Sequence, residues 1–197
     1  MEDTDTSTIS PAPGAELYSA LDFANSAVSL PGGKRVDLLG GPGDAARWLV
    51  ERGLASPDIV LYEPCASRMR DLREHIRALI AARIDGVPAP AQAVGAVNAA
   101  MTKVPSAALL AWDPEHGLHR SAAHPIDQAV DHALAALADN VAELLTSPEA
   151  DRLTACGSPP CDRYLVRTHP RRHWCSTRCG DRARAARAYA RKQAVQG

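Results

Sequence analysis

Four cysteines within 24 residues constrain this chain more than any other feature of its sequence. Cys156, Cys161, Cys175 and Cys179 have the spacing C-x4-C-x13-C-x3-C, which is two close pairs separated by a loop. Each close pair can bind one side of a tetrahedral ion, and four thiolates are typical of structural zinc sites. The pattern therefore predicts one structural zinc ion bound by these four side chains.

Other interpretations of the cysteine cluster stay open at this stage. Two disulfides would suit an exported protein, but residues 1–15 are acidic and lack the apolar segment of a secretory signal, which favours the cytoplasm. An iron–sulfur cluster or uncommitted thiols are further alternatives. His169 and His173 lie between the two pairs, and either could replace one cysteine as a ligand. The fifth cysteine, Cys65, stands alone and is expected to be a small buried apolar residue, with a redox role as the alternative.

The charge of the chain is divided unevenly along its length. Residues 152–197 contain eleven Lys or Arg and two acidic residues, a net charge of +9. The remaining residues contain eleven basic and 21 acidic residues, a net charge of −10. This division predicts two modules, of which the C-terminal one faces a polyanion. No apolar run is long enough to span a membrane, so a membrane partner is not expected.

Hydrophobic periodicity predicts a mostly helical first domain over residues 16–147, preceded by a disordered tail over residues 1–15. One β-hairpin is expected near residues 107–122, where two short apolar segments flank a turn. The predicted helices cover residues 16–29, 45–52, 66–85, 91–103 and 126–146.

Residues 148–197 contain few apolar side chains, so this segment needs the metal to stabilise it. Ser176 is a suitable N-cap for a last helix that runs to about residue 193. The first cysteine pair would then lie on a knuckle between strands. The predicted fold class is α+β, with a mostly helical N-terminal domain and a small treble-clef-like zinc finger.

Two sets of residues resemble known families. Residues 174–182, Trp-Cys-Ser-Thr-Arg-Cys-Gly-Asp-Arg, resemble the signature of the CGNR zinc finger, with Asp181 where that family has Asn. Residues 21–26, 35–38, 46–49 and 53–54 resemble the motifs of the ABATE domain that precedes this finger. The resemblance implies a bacterial transcription regulator induced by stress. The carboxylate of Asp181 can bond a backbone amide or Arg182, but it would repel a phosphate.

The last helix is the candidate for nucleic-acid binding. Arg184, Arg187 and Arg191 fall on one face of it, and we expect them to contact DNA phosphates. Arg171 and Arg172, on the loop between the cysteine pairs, would extend this basic surface. The alternative is that these arginines are solvated or pair with the acidic first domain.

Arg182 lies nearer the metal on the same helix, and we expect it to support the site through hydrogen bonds to backbone or thiolate sulfur. Four cysteines close the zinc coordination shell, and no nucleophile elbow, P-loop or dinucleotide motif occurs, so an enzyme is not expected. A protein-interaction module without DNA contact is the alternative function.

The first domain is a candidate for sensing a small-molecule effector or for forming a homodimer. Asp22, Asn25, Arg35 and Asp37 are polar residues on or after the first helix, and they could line a pocket. The same residue types also serve as ordinary caps, turn residues and surface ion pairs.

Overall fold

Six α-helices, six short β-strands and two short 3₁₀ helices form the regular structure of the described residues in the computed structural model, which describes residues 10–104, 109–121 and 128–196. The strands pair as three antiparallel hairpins, β1–β2, β3–β4 and β5–β6. The helices are α1 (Ser19–Ala24), α2 (Pro42–Glu51), α3 (Glu63–Asp85), α4 (Ala91–Thr102), α5 (Ala129–Thr146) and α6 (Thr177–Gln196). The strands are β1 (Ala27–Ser29), β2 (Arg35–Asp37), β3 (Leu109–Asp113), β4 (Gly117–Ser121), β5 (Leu153–Ala155) and β6 (Tyr164–Val166). The predicted α+β class is confirmed.

The core of the first domain is formed by α3 and α5 together with α1, α2 and α4. Ile76 and Ile80 on α3 and Leu137 and Val141 on α5 are fully buried, at the spacing that places them on one face of each helix. α3 ends at Gly86, whose φ of 65° gives the left-handed cap that glycine adopts most readily. None of the described helices combines the length and apolarity needed to cross a membrane.

The first predicted helix, over residues 16–29, is helical only over Ser19–Ala24. α1 ends one residue before Asn25, and the chain then forms strand β1, in which Val28 pairs with Val36. The Asn25 side chain hydrogen-bonds the backbone of Tyr164, far along the chain. Because this partner is distant in sequence, local periodicity alone could not reveal the break.

The β3–β4 hairpin is closed by a turn that the sequence encodes locally. The Asp113 carboxylate accepts hydrogen bonds from the N–H groups of Glu115 and His116. Gly117 follows with a φ of 64°. The outer ends predicted for this hairpin, residues 107–108 and 122, lie outside the described residues, as do residues 126–127 of the helix predicted next.

Residues 10–15 are packed, although their composition predicts a disordered tail. Ala12 is 1% exposed, and the carbonyl of Ser10 accepts a hydrogen bond of 2.8 Å from Arg163. The Val166 N–H donates to the carbonyl of Pro13, so this segment runs along the edge of β6. The prediction of disorder is therefore wrong for residues 10–15, while residues 1–9 lie outside the described part of the chain.

The β5–β6 hairpin joins the first domain to the finger. Tyr164 and Val166 pack against the core of the first domain, whereas Leu165 between them packs against the cysteines. Successive side chains of a strand point to opposite faces, so three residues serve both cores. The finger is therefore packed against the first domain.

Candidate metal centre

The four cysteines of the motif converge from two segments of the finger, the β5–β6 connection and the start of α6. Cys156 follows β5, Cys161 lies in the loop before β6, Cys175 precedes α6, and Cys179 is in its first turn. Their sulfur atoms all lie within 4.8 Å of one another. The Cys161–Cys175 and Cys175–Cys179 sulfur distances are 3.7 and 3.6 Å. Zinc–sulfur bonds of about 2.3 Å in a tetrahedron require sulfur atoms about 3.8 Å apart, so the cluster fits zinc.

The geometry argues against two of the other interpretations of the cysteines, disulfide bonds and a histidine ligand. All five cysteines are free, and the sulfur distances are far longer than the roughly 2.05 Å of a disulfide bond. Neither histidine of the finger belongs to the metal-ligating group among the described residues. The His169 ring accepts a hydrogen bond from the Arg171 N–H, and the His173 ring contacts Trp174 edge-on. Cys65 is partly buried and packs against the first domain's core.

Contact among the thiols favours loss of a proton at one of them. Hydrogen bonds from the Cys161 and Cys175 thiols lower the pKa of Cys156 to about 3. Donation to Cys156 in turn raises the pKa of Cys161. A thiolate is the form that binds zinc. Zinc, when bound, would link the two cysteine pairs and thereby attach the N-terminus of α6 to the β5–β6 hairpin.

Two arginines surround the cluster, and sequence reasoning identified one of them. Arg182 donates hydrogen bonds to the carbonyls of Ser158 and Pro159, at 2.7 and 3.1 Å, and its Nη2 lies 3.4 Å from the Cys179 sulfur. These are the backbone and sulfur contacts expected of it.

Arg163 is the arginine that the sequence analysis missed. It is 4% exposed, its Nη1 lies 3.9 Å from the Cys175 sulfur, and its Nη2 donates to the carbonyl of Ser10. The available signal was a charged residue next to the apolar strand β6. A buried guanidinium beside the cluster compensates part of the negative charge of the thiolates.

The basic residues of the finger gather around Trp174. The guanidinium carbons of Arg184 and Arg187 lie 5.6 and 5.4 Å from the centre of its ring. Arg171 and Arg172 line a shallow depression together with Trp174 and Arg184, so the loop and the helix contribute to one surface. Arg191 is exposed one turn beyond Arg187 on α6.

Asp181, which stands where the CGNR signature has Asn, pairs with Arg184. Its Oδ1 lies 2.5 Å from the Arg184 Nη2, and both side chains are exposed. Arg182 donates its hydrogen bonds to the backbone carbonyls of Ser158 and Pro159 and to the Cys179 sulfur, and not to Asp181. The carboxylate therefore neutralises part of the basic surface and does not support the cysteine cluster.

Three of the four polar residues predicted to line a ligand pocket in the first domain are bound to other parts of the protein, and the other is exposed. Asp22 forms an ion pair with Arg52, at 2.5 Å, and Arg35 is exposed on β2. Asn25 is 2% exposed and its amide makes two hydrogen bonds of 2.8 Å with the backbone of Tyr164. Asp22 and Asn25 thus have separate structural partners.

Asp37, the fourth residue of that set, is held by a buried arginine. Arg73 is 3% exposed, and its two terminal nitrogens donate hydrogen bonds of 2.6 and 2.9 Å to the Asp37 carboxylate. Burial by itself raises the pKa of Asp37, but the hydrogen bonds from Arg73 and from the Leu39 N–H outweigh it, so the pKa is lowered. This pair ties β2 to α3.

The fold and the site define a zinc-finger protein with a helical first domain. Residues 19–148 match the family model described as "ABATE: Putative stress-induced transcription regulator", and residues 152–192 match "zf-CGNR: CGNR zinc finger". The first match covers about two thirds of the chain, and the protein belongs to the ABATE family. A search of curated proteins finds no match. The finger and its four-cysteine cluster form a structural zinc site, and neither family description is that of an enzyme.

Proposed function

We propose that this protein is a cytoplasmic, DNA-binding transcription regulator whose finger presents α6 to DNA phosphates. The observation that carries the proposal is the grouping of Arg171, Arg172, Arg184 and Arg187 around Trp174. Zinc has no direct contact with DNA in this proposal. Its role is to hold the loop and the helix together, so that arginines from both form one surface.

The arginines of this surface are accessible to phosphate. Among the described residues, Arg184 forms a salt bridge with Asp181, and Arg187 and Arg191 form none. An exposed pair of this kind contributes little, about 0–1 kcal/mol, so a phosphate can compete for Arg184. The alternative was that α6 pairs with the acidic first domain. Among the described residues, no ion pair joins the two. The net charge of +9 in residues 152–197 also favours a polyanion as partner.

The test is binding of the zinc-loaded protein to a random duplex DNA pool across a salt series. The variant is Arg184/Arg187/Arg191→Ala, in which alanine keeps the propensity of the exposed helix. The matched control is Arg35/Arg47/Arg120→Ala, which removes the same charge from exposed positions of the first domain. Circular dichroism and zinc content check that all three proteins are folded alike.

Counterion release sets the size of the expected effect. Five phosphate contacts would lower the affinity about 500-fold between 50 and 200 mM salt, because each contributes a slope of about −0.9. The triple variant keeps two of the five contacts, so its affinity should fall only about 12-fold over the same salt range. Absence of binding at low salt, or an equal loss in the control variant, would contradict the proposal.

A second candidate function, protein interaction, is favoured by the β3–β4 hairpin. Leu110, Trp112 and Leu118 are 74%, 66% and 71% exposed. Trp112 pairs directly with Leu118 across the hairpin, so these side chains form an exposed apolar face. We propose that this face joins two copies of the chain, which would make the first domain a dimerising module. Sedimentation should show a dimer that Trp112→Ser dissociates, and a monomer at all concentrations would contradict this role.

A further inference from the structure

We propose that the cavity between the β1–β2 hairpin and the zinc finger binds an organic carboxylate that has an apolar body. The cavity has a volume of about 380 Å³, which lies within the range of small-molecule sites in proteins. One wall comes from residues 28–36 of the first domain, and the other comes from residues 161–182 of the finger. This site is separate from the four polar residues considered in the sequence analysis.

The charged lining of the cavity selects an anion. Lys34, Arg163, Arg178 and Arg182 line it, and none of the described lining residues is acidic. Four thiolates around one zinc ion carry a net charge of about −2, so the four cations still leave the cavity positive. Ser176 and Cys179 also line it, which brings the N-terminal turn of the 20-residue helix α6 to the same place. The free N–H groups of a helix N-terminus favour a negative charge.

The exposed cations of the cavity are available to a ligand. Lys34 and Arg178 are exposed, and no ion pair is recorded for either within residues 10–104, 109–121 and 128–196. Arg163 is 96% buried, yet its Nε has no hydrogen-bond partner among the described residues. A buried donor without a partner is costly, about 1–3 kcal/mol, and it is therefore uncommon. Because this atom is itself buried, Arg163 contributes positive charge beside the cavity, and the exposed Lys34 and Arg178 supply the donors that a ligand can reach.

The opposite wall selects the body of the ligand. Val28, Leu30, Pro31 and Val36 supply apolar surface from the β1–β2 hairpin. An inorganic anion such as phosphate would satisfy the cations and leave this wall in contact with water. A carboxylate with an alkyl or aryl body satisfies both walls, because the burial of apolar surface adds to the charge interaction. The chemistry of the cavity thus points to a small fatty or aromatic acid.

Binding at this site does not depend on the proposed DNA contact. The cavity uses Arg178 and Arg182 of α6, whereas the surface around Trp174 uses Arg184 and Arg187 of the same helix. A ligand that bridges the hairpin and the first turns of α6 would restrain the helix relative to the first domain. If the proposed regulatory function holds, the carboxylate acts as its effector, and its binding can be measured without DNA.

The experiment is calorimetric titration of the zinc-loaded 197-residue protein with octanoate and with phenylacetate. 1-Octanol tests the need for the charge, and inorganic phosphate tests the need for the apolar body. The variant is Lys34/Arg178→Gln, which removes two exposed cations of the cavity. Arg35/Arg120→Gln is the matched control, because it removes two exposed cations that do not line the cavity.

We expect saturable binding of one carboxylate per chain. The affinity for 1-octanol and for phosphate should be at least about 10-fold lower than for the two acids. The Lys34/Arg178→Gln variant should lose at least about 10-fold in affinity and keep its zinc, while the control keeps its affinity. Failure of both acids to bind at millimolar concentration would overturn the proposal. Equal affinity in the cavity variant would also overturn it, since binding would then lie elsewhere. Neither result bears on DNA binding, which is measured without these acids.

Discussion

Replacing Asn25 by alanine removes the side chain that bonds α1 to the edge of strand β6. The Asn25 Nδ2 donates to the carbonyl of Tyr164, and its Oδ1 accepts from the Tyr164 N–H, both at 2.8 Å. Tyr164 stands opposite Ala155 in the β5–β6 ladder, and the neighbouring hydrogen bond of the ladder runs from the Cys156 N–H to the carbonyl of Arg163. Asn25 therefore acts as an additional strand partner for β6.

The magnitude follows from what the substitution leaves behind. Alanine at position 25 deprives the N–H and the carbonyl of Tyr164 of their partner, in a place where Asn25 itself is 2% exposed. Each group left without a partner costs about 1–3 kcal/mol, and water can reach the half-buried Tyr164 in part. We therefore expect Asn25→Ala to lower the free energy of unfolding by about 2–4 kcal/mol. For a chain of this length, about 3 kcal/mol corresponds to a fall in Tm of roughly 6–12 °C.

The assay is urea unfolding of the zinc-loaded protein, followed by circular dichroism. Asn98→Ala is the matched control, since Asn98 is exposed on α4 and its loss should change the free energy by less than about 0.5 kcal/mol. A loss of less than about 1 kcal/mol in Asn25→Ala would refute the argument that this amide joins the two parts of the protein.

Three further predictions concern the metal, acid stability and the N-terminal segment. Cys175→Ser should lose the zinc ion while Cys65→Ser keeps it, as measured by metal content after dialysis; one zinc retained in Cys175→Ser would contradict the ligand assignment. The pair of Asp37 with Arg73 should stabilise the protein above the ordinary aspartate pKa of 3.8, and this contribution should disappear as the pH falls through the lowered pKa of the folded state. The stability difference between the wild type and Asp37→Asn should therefore shrink in acid, and a constant difference would contradict it. Gly14→Ala should destabilise the protein by about 1–3 kcal/mol, because φ is 93° and a Cβ would lie 2.8 Å from a β6 side chain; an unchanged Tm would contradict this.

The elements that the sequence predicted well are those whose cause is local. The spacing of the cysteines identified the cluster because two close pairs on a short segment can approach one ion with little rearrangement. The buried stripes of α3 and α5 were visible because a helix repeats its core positions every three or four residues. Arg182 was assigned to the metal site for a related reason, since it lies three residues after Cys179 on the same helix.

The elements that the sequence did not predict depend on distant partners. The break after α1 rests on the bond between Asn25 and Tyr164, which are 139 residues apart. The order of residues 10–15 depends on Arg163 and on the edge of β6, which lie some 150 residues further along the chain. No local sequence pattern indicates such distant pairs. Asp22, Asn25 and Asp37, which stabilise the fold, were therefore interpreted as residues that could line a pocket.

By itself, the sequence determined the zinc ligand set, the helical first domain, the basic finger and the family, because these rest on residue types at short spacings. Only the tertiary structure decided how the two parts meet. It placed Arg163 beside the cysteines, tied Asn25 to β6, and brought the β1–β2 hairpin against the start of α6. The physical reason is that burial and hydrogen-bond satisfaction are properties of the packed chain, in which residues more than a hundred positions apart become neighbours.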